Sequence, residues 1–234
     1  MFVSKTKVYL SENYKMKHFS AYIFVFLLIT TSGKAEIGVL AGARAGFNIA
    51  HLRKFEAPEF YKKRIILGSD LSAVLRIDFN KYIGIQTEVE FSQKGQAWKR
   101  TQDSARLLSK SVINYIQFPL LAVARVGNEK VNGVFFLGPY FAYRTGGYTQ
   151  NSVSVDKQSK NSNTEKYVFT TNDMRFDVGL VTGAGVNVKV GKGWIEVAAR
   201  HNLGMLPTTK KNSGLPKLYN CNFNLSLGYL YTIK

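Results

Sequence analysis

The chain has 234 residues, of which 45% are hydrophobic and 13% aromatic, and this content excludes intrinsic disorder for most of its length. Its formal net charge of +17, with 32 Lys and Arg against 15 Asp and Glu, would ordinarily suggest a nucleic-acid partner. A single cysteine excludes an intrachain disulfide, and no apolar run of about 18 residues is present that could form a transmembrane helix.

Residues 16–35 have the features of a secretory signal peptide. Lys17 gives a basic start, an apolar core of about ten residues follows from Ala21, and Gly33 and Ala35 are small residues placed for cleavage. We predict a signal peptide over 16–35, an over-extended reading frame over 1–15 before a true start at Met16, and a mature domain over 36–234. Export from the cytoplasm argues against a nucleic-acid partner despite the basic charge.

Eight segments with alternating apolar and polar residues follow along the chain. They lie near residues 37–48, 69–79, 82–93, 112–126, 131–145, 173–189, 193–204 and 220–233. A period of two places successive side chains on opposite faces, so each segment is predicted to be a strand. The last segment shows the pattern most clearly, with an apolar row of Cys221, Phe223, Leu225, Leu227, Tyr229, Tyr231 and Ile233.

The connections between these strands alternate between long and short. The short ones are residues 80–81, 127–130 and 190–192, whereas the others have about 15 to 27 residues. An even-stranded membrane barrel with both ends in the periplasm produces this alternation, because its periplasmic turns are tight and its outer loops long. A soluble β-sandwich has no reason to keep its long loops at one end.

The polar faces of the strands carry too many mid-strand charges for the dry core of a soluble protein, and the apolar faces are continuous enough to contact lipid. The predicted inward charges are five arginines and five acids: Arg44, Arg76, Arg144, Arg175, Arg200, Asp78, Glu88, Glu90, Asp177 and Glu196. Because unpaired buried charge is very unfavourable, we predict that they form a lumenal ion-pair network rather than a site for a charged ligand. A barrel of about eight strands is filled by its own side chains, so a wide aqueous pore is not expected.

Two prolines, Pro119 and Pro139, lie inside predicted strands. Proline has no N–H to donate to a β-ladder, and a closed barrel has no edge strand to host it. We therefore expect a local bulge or a broken ladder at each position.

Several short motifs follow one another in the mature chain. They are G-A-R-A-G-F-N at 42–48, E-V-E-F-S-Q-K-G at 88–95, Y-I-Q-F-P-L-L at 115–121, F-L-G-P-Y at 136–140, G-L-V-T-G-A-G-V at 179–186, I-E-V-A-A-R at 195–200, and L-S-L-G-Y-L-Y at the end. In this order they resemble the PorT-like outer-membrane β-barrel domain common in the Bacteroidetes. The resemblance implies fold and location more firmly than activity, and one namesake of the family takes part in type IX secretion and gliding.

The fold that follows is all-β: an eight-stranded antiparallel up-and-down transmembrane β-barrel of OmpA- or OmpX-like size in the bacterial outer membrane, preceded by a cleaved signal peptide. The last strand, with Ser226, Gly228, Tyr231 and Ile233, also resembles the C-terminal signal that barrel-assembly machinery recognises. Lys234 departs from the usual terminal aromatic residue of that signal.

The histidines do not form a recognisable catalytic set. His18 lies in the signal peptide, His51 begins the first outer loop, and His201 lies on the outward row of the seventh strand. A lipid-A hydrolase of the His-Ser-acid type would need an exposed serine beside His201, but Ser226 is predicted to face inward and Ser213 lies in a loop. No His or Cys pair has metal-ligand spacing, so we predict no catalytic residue, metal or cofactor.

Each of the four predicted outer loops carries more lysine and arginine than aspartate and glutamate. The candidate contacts to lipopolysaccharide are Lys62, Lys63, Arg64, Lys99, Arg100, Lys210 and Lys211. A basic rim of this kind would lie beside the anionic phosphates of that lipid. The alternative is that these charges are simply solvated.

Together these patterns predict a non-enzymatic, porin-like outer-membrane barrel with a filled lumen and a structural, adhesive or accessory surface role. Its expected partners are outer-membrane lipid, lipopolysaccharide and the barrel-assembly machinery, with no nucleic acid. Two alternatives remain: a membrane component of a PorT-like, type IX secretion apparatus, which predicts copurification with other envelope proteins, and a lipid-A-modifying hydrolase, which requires His201.

Overall fold

The computed structural model of the chain describes residues 37–53, 61–102, 105–155, 159–210, 214 and 217–234. The predicted reading-frame extension and signal peptide, residues 1–35, lie outside the described residues, as do Lys211 and Ser213. Within the described ranges, no helix is long and apolar enough to cross a membrane.

The described residues form ten β-strands. They are β1 (Gly38–Arg53), β2 (Tyr61–Arg64), β3 (Ile66–Asp78), β4 (Ile83–Gln102), β5 (Ala105–Gly127), β6 (Val131–Val155), β7 (Ser159–Lys166), β8 (Phe176–Val190), β9 (Gly193–Pro207) and β10 (Tyr219–Thr232). Eight of them form a closed antiparallel ring in the order β1, β3, β4, β5, β6, β8, β9, β10, with β10 pairing back to β1. The predicted eight-stranded antiparallel barrel is confirmed, and β2 and β7 add to it outside the ring.

The two ends of the barrel differ as predicted. At one end the strands are joined by three tight turns, and Leu40 of β1 pairs with Thr232 of β10. Asn80 and Asn128 shape two of the turns, because each side-chain oxygen accepts backbone N–H groups two and three residues further on, at 2.8–3.0 Å. Tight turns of this kind are typical of the periplasmic end of an outer-membrane barrel.

At the other end, β4, β5 and β6 extend furthest past the predicted boundaries, to Gln102, from Ala105 and to Val155. The predicted loop 94–111 is mostly a β4–β5 hairpin, and much of the predicted loop 146–172 is the hairpin of β6 with β7. The outer part of β6, T-Q-N-S-V-S-V, is mostly polar, and β7, S-K-N-S-N-T-E-K, contains no apolar residue. Outside the bilayer no apolar row is required, so the alternation that identifies a membrane strand is missing there.

The ladder is interrupted near the two prolines, without a change of register. In the β5–β6 pair, Pro119 pairs with Tyr140 and the next pair is Ala122 with Leu137. The β4–β5 ladder also skips two residues opposite Pro119. The predicted broken ladder is present, whereas the β5–β6 bulge lies further along, where Thr145 has no partner between Arg144 and Gly146.

Strand β3 illustrates the two faces of the wall. Its outward residues Leu67, Leu71 and Leu75 are exposed, while its inward residues Asp70 and Arg76 are almost completely buried. Apolar side chains therefore face out and polar side chains face in, as a membrane barrel requires.

Candidate functional site

The middle of the lumen is held together by an ion-pair network centred on Glu88. One Glu88 oxygen accepts from Arg200 Nη1 at 2.6 Å and from Gln86 Nε2 at 2.6 Å, and the other lies 2.7 Å from Arg44 Nη2. Arg44 also contacts Glu90 at 3.2 Å. All of these side chains are buried, so the pairs are shielded from water.

The network continues across the barrel through Glu196. Arg200 Nη2 lies 3.5 Å from one Glu196 oxygen, and Arg76 donates to the other. Arg44 lies on β1, Arg76 on β3, Glu88 on β4 and Arg200 on β9, so four different strands supply the interacting groups. The network therefore ties opposite walls of the ring to each other.

Asp78 pairs with a residue that the sequence prediction missed. Arg125 Nη1 lies 2.8 Å from Asp78 Oδ2, and Arg125 Nη2 donates to the Asn80 carbonyl oxygen at 2.6 Å. Arg125 occupies an inward position of β5 two residues after Val123, so the alternation of that strand could have identified it.

Besides Asp78, three residues of the predicted network do not join it. Arg144 Nε donates to the Tyr115 hydroxyl at 2.9 Å, and Asp177 accepts from Tyr140 and Asn220 at 3.1 and 2.7 Å. Arg175 is half-buried, with its guanidinium 4.0 Å from the centre of the Phe169 ring. At the outer ends of the strands, an inward position therefore does not tell which side chain a charged residue contacts.

A buried lysine lies between the ion-pair network and the outer end of the lumen. Lys94 is 1% exposed, and its Nζ donates to Gln117 Oε1 at 2.5 Å. The same atom lies 4.7 and 5.1 Å from the ring centres of Tyr140 and Tyr115, within cation–π range. Lys94 was predicted in an outer loop, but it fills the lumen at this level.

Tyr115 joins this layer to the outer end of the lumen, because its hydroxyl accepts from both Arg144 Nε and Asn220 Nδ2 at 2.9 Å. Replacing Tyr115 by Phe leaves two buried donors without that acceptor, so we expect a loss of about 1–3 kcal/mol in the free energy of unfolding. Urea titration of the barrel in lipid vesicles measures this. Tyr143→Phe, on the outward face of β6, is the control, and an equal effect of both changes would contradict the assignment.

A cavity of about 210 Å³ lies at the outer end of the lumen. Its lining includes Trp98, Tyr115, Arg144, Tyr167 and Asn220. The Tyr167 hydroxyl donates to Asp173 Oδ1 at 3.2 Å, and burial raises the pKa of this tyrosine. The cavity is far smaller than an aqueous channel would be, in agreement with a lumen filled by side chains.

Among the residues that the structure describes, no serine is hydrogen-bonded to His201 as a hydrolase of this type would need. His201 lies on the outward face of β9, where its Nε2 is 3.2 Å from Cys221 Sγ. Ser226 is buried in the lumen, and its hydroxyl donates to the Ala198 carbonyl oxygen at 3.4 Å. Among the described side chains, no group of three or more His, Cys, Asp or Glu could hold a metal ion.

Five of the predicted lipopolysaccharide contacts come together where β2 pairs with the outer part of β4. In that ladder Lys62 is opposite Lys99, Lys63 opposite Trp98, and Arg64 opposite Ala97. Arg100 is opposite Tyr61, with its guanidinium 5.6 Å from the ring centre. Lys210 lies apart from them, and its backbone N–H donates to the Asn172 carbonyl oxygen at 2.8 Å.

Comparison with known proteins gives one family match. A family model described as "Outer membrane protein beta-barrel domain" matches residues 30–210. No curated protein sequence matches the chain.

Several solved structures are similar to the chain at low identity. The attachment invasion locus protein Ail of Yersinia pestis, solved with the heparin analogue sucrose octasulfate, is 16% identical over 83% of this chain and 99% of its own, with a TM-score of 0.38. Neisserial surface protein A is 14% identical over 83% and 97%, with a TM-score of 0.41. OprG from Pseudomonas aeruginosa is 11% identical over 85% and 97%, with a TM-score of 0.44.

Proposed function

The chain belongs to the outer membrane protein β-barrel domain family, and from that premise we propose that it is a non-enzymatic surface barrel with a structural, adhesive or accessory role. Its location is the bacterial outer membrane. The observation that supports the proposal most directly is the filled lumen, in which Glu88 bridges Arg44 and Arg200 across the barrel. A lumen closed by its own ion pairs favours a role carried by the outer surface and rim rather than by a pore or an internal catalytic site.

The experiment combines gel mobility with conductance. Outer-membrane protein solubilised in detergent is expected to run faster unboiled than boiled, because a closed barrel stays compact in detergent until it is heated. The same purified protein in a planar lipid bilayer is expected to give no stable channel steps. A steady conductance from protein with the fast-running band would contradict the filled lumen, and failure of the mobility shift would contradict the membrane barrel.

A PorT-like membership is part of the same proposal. The resembling motifs all lie in strands of the ring, in β1, β4, β5, β6, β8, β9 and β10. This resemblance favours a second candidate function, a membrane component of a secretion apparatus. Crosslinking in intact cells followed by purification would recover other envelope proteins in stoichiometric amounts for such a component, whereas a stand-alone barrel would be recovered by itself.

The basic rim is the part of the barrel proposed to contact a lipid partner. Lys62, Lys63, Arg64, Lys99 and Arg100 lie on paired strands at the outer end of the barrel, where the phosphates of lipopolysaccharide are found. We propose that these residues contact that lipid. The barrel-assembly machinery remains the proposed partner of β10 during insertion.

A further inference from the structure

A groove of about 620 Å³ lies on the outside of the barrel, between the junction of β2 with β3 and the outer parts of β4, β5 and β6. Its apolar lining includes Ile65, Leu67, Leu107 and Leu108. Its cationic lining consists of Arg64, Lys99, Arg106 and Lys110. The groove therefore combines an apolar floor with four positive charges.

The groove lies where the lipid-facing surface ends. Leu67 is the outermost residue of the outward apolar row of β3, which includes Leu71 and Leu75 and is continued by Phe79 at the periplasmic end. From Leu67 to Phe79, about twelve residue steps of roughly 3.3 Å at a tilt of roughly 40° give a height of roughly 30 Å, slightly more than the apolar band of a typical barrel. Leu67 therefore lies at the boundary between the acyl chains and the outer headgroups.

The apolar floor of the groove is exposed. Ile65 is 61% exposed and Leu67 is 64% exposed, and Leu107 and Leu108 are also exposed. Side chains of this size extend the lipid-facing row beyond the end of β3, onto the part of the wall that carries the cations. Acyl chains from the outer leaflet can cover such a surface, whereas headgroups and water cannot do so favourably.

Strand pairing fixes the cations beside this floor. Arg64 is opposite Ala97, which is opposite Lys110, and Lys99 is opposite Leu108. Residues directly opposite each other point to the same face of a sheet, so the three positive side chains share the face that contains Leu108. Within the described part of the chain, no salt bridge joins these cations or Arg106 to an acid.

A like-charged pair at the edge of the groove indicates which charge a ligand would need to carry. Lys62 is directly opposite Lys99 in the β2–β4 ladder. Like charges in this position destabilise a strand pair, and an anion between them removes the repulsion. The structure therefore has both an apolar surface that suits acyl chains and a cation cluster that suits an anionic headgroup.

We propose that this groove binds one molecule of a phosphorylated, acylated glycolipid of the outer leaflet, the lipid A part of lipopolysaccharide. An acyl chain lies along Ile65, Leu67 and Leu108, and a phosphate is bound by Arg64, Lys99 and Lys110. The inference rests on the proposed function and deepens it, because it replaces a diffuse basic rim by a single site that requires both the phosphate and the acyl chains.

The test uses the full mature barrel in detergent, titrated with purified diphosphorylated lipid A and followed by native mass spectrometry. We expect a one-to-one complex. The triple variant Arg64→Gln/Lys99→Gln/Lys110→Gln is expected to weaken it on the order of tenfold or more, because three charge-assisted contacts are lost. A second variant, Leu67→Ser/Leu108→Ser, is expected to weaken it as well, since it removes the acyl contact but no charge.

The matched control is Lys81→Gln/Lys130→Gln/Lys192→Gln, which removes the same charge from the periplasmic turns. Equal weakening by both triple variants would overturn the site in favour of general charge attraction. Equal binding of dephosphorylated lipid A, or competition by inorganic phosphate alone, would also overturn it. Heat-modifiability of every variant is measured first, so that loss of the barrel, which bears on the proposed function, is distinguished from loss of the groove.

Discussion

Replacing Glu88 by glutamine is expected to lower the free energy of unfolding by about 3–5 kcal/mol, because it leaves Arg44 and Arg200 buried without the carboxylate that they share. The Glu88 side chain has no exposed surface, so water cannot replace the lost negative charge. The glutamine side chain would also point its amide N–H₂ at one of the two guanidinium groups. Both groups are hydrogen-bond donors, so no hydrogen bond can form between them. The urea midpoint in lipid vesicles, read from the loss of the fast-running gel band, measures the effect.

The matched control is Glu129→Gln. Glu129 is exposed in the turn before β6, and the change of charge and shape is the same. An exposed carboxylate contributes little, so the midpoint of this control is expected to stay close to that of the unmodified protein. If the two variants unfold at the same urea concentration, the lumenal network does not stabilise the barrel in the way described.

The second large effect is expected at the seam between the first and last strands. A Cβ atom at Gly42 would contact the Tyr229 carbonyl oxygen and would lie 2.9 Å from Leu230 Cα, and both are backbone atoms of β10. Valine has a high strand propensity, so propensity alone predicts that Gly42→Val stabilises β1. Packing predicts the opposite, because the backbone of β10 can move aside only if the ladder opens.

We expect Gly42→Val to lower the free energy of unfolding by about 3 kcal/mol and to leave a large fraction of the protein in the slow-running band after refolding. Ala43→Val is the control, because Ala43 is adjacent, exposed and on the lipid-facing side. If the Gly42 variant refolds as completely as the unmodified protein, the seam between β1 and β10 has room for a side chain, and the prediction is wrong.

The part of the fold that crosses the membrane could be predicted from the sequence because lipid imposes a rule there. Each ring strand must present an apolar row to the bilayer, and the alternation in β3 and β10 shows that row directly. No such rule applies above the bilayer. The outer parts of β4, β5 and β6, together with β2 and β7, were therefore predicted as loops.

The lumenal contacts could be predicted only in part. Alternation predicts that Arg44, Glu88 and Glu196 face the lumen. It does not predict their positions along the barrel axis, and these positions decide which side chains contact each other across the lumen. The predicted third strand ends at residue 93, just before Lys94, whereas β4 continues to Gln102. Arg175 comes just before β8, where an inward position no longer implies burial. The groove depends on β2 pairing with β4, a long-range contact with no signal in the four residues of β2.

The hairpins above the membrane have free strand edges, which the closed ring of the barrel does not have. In the part of the chain that is described, β2 pairs only with β4 and β7 only with β6, so each has one side without a β-sheet neighbour. Such edges can recruit strands from other proteins. Here they are short, and their sequences, Y-K-K-R and S-K-N-S-N-T-E-K, are rich in charge and lack long apolar runs. On a crowded cell surface this composition opposes edge-to-edge aggregation while the sheet still projects beyond the lipid headgroups.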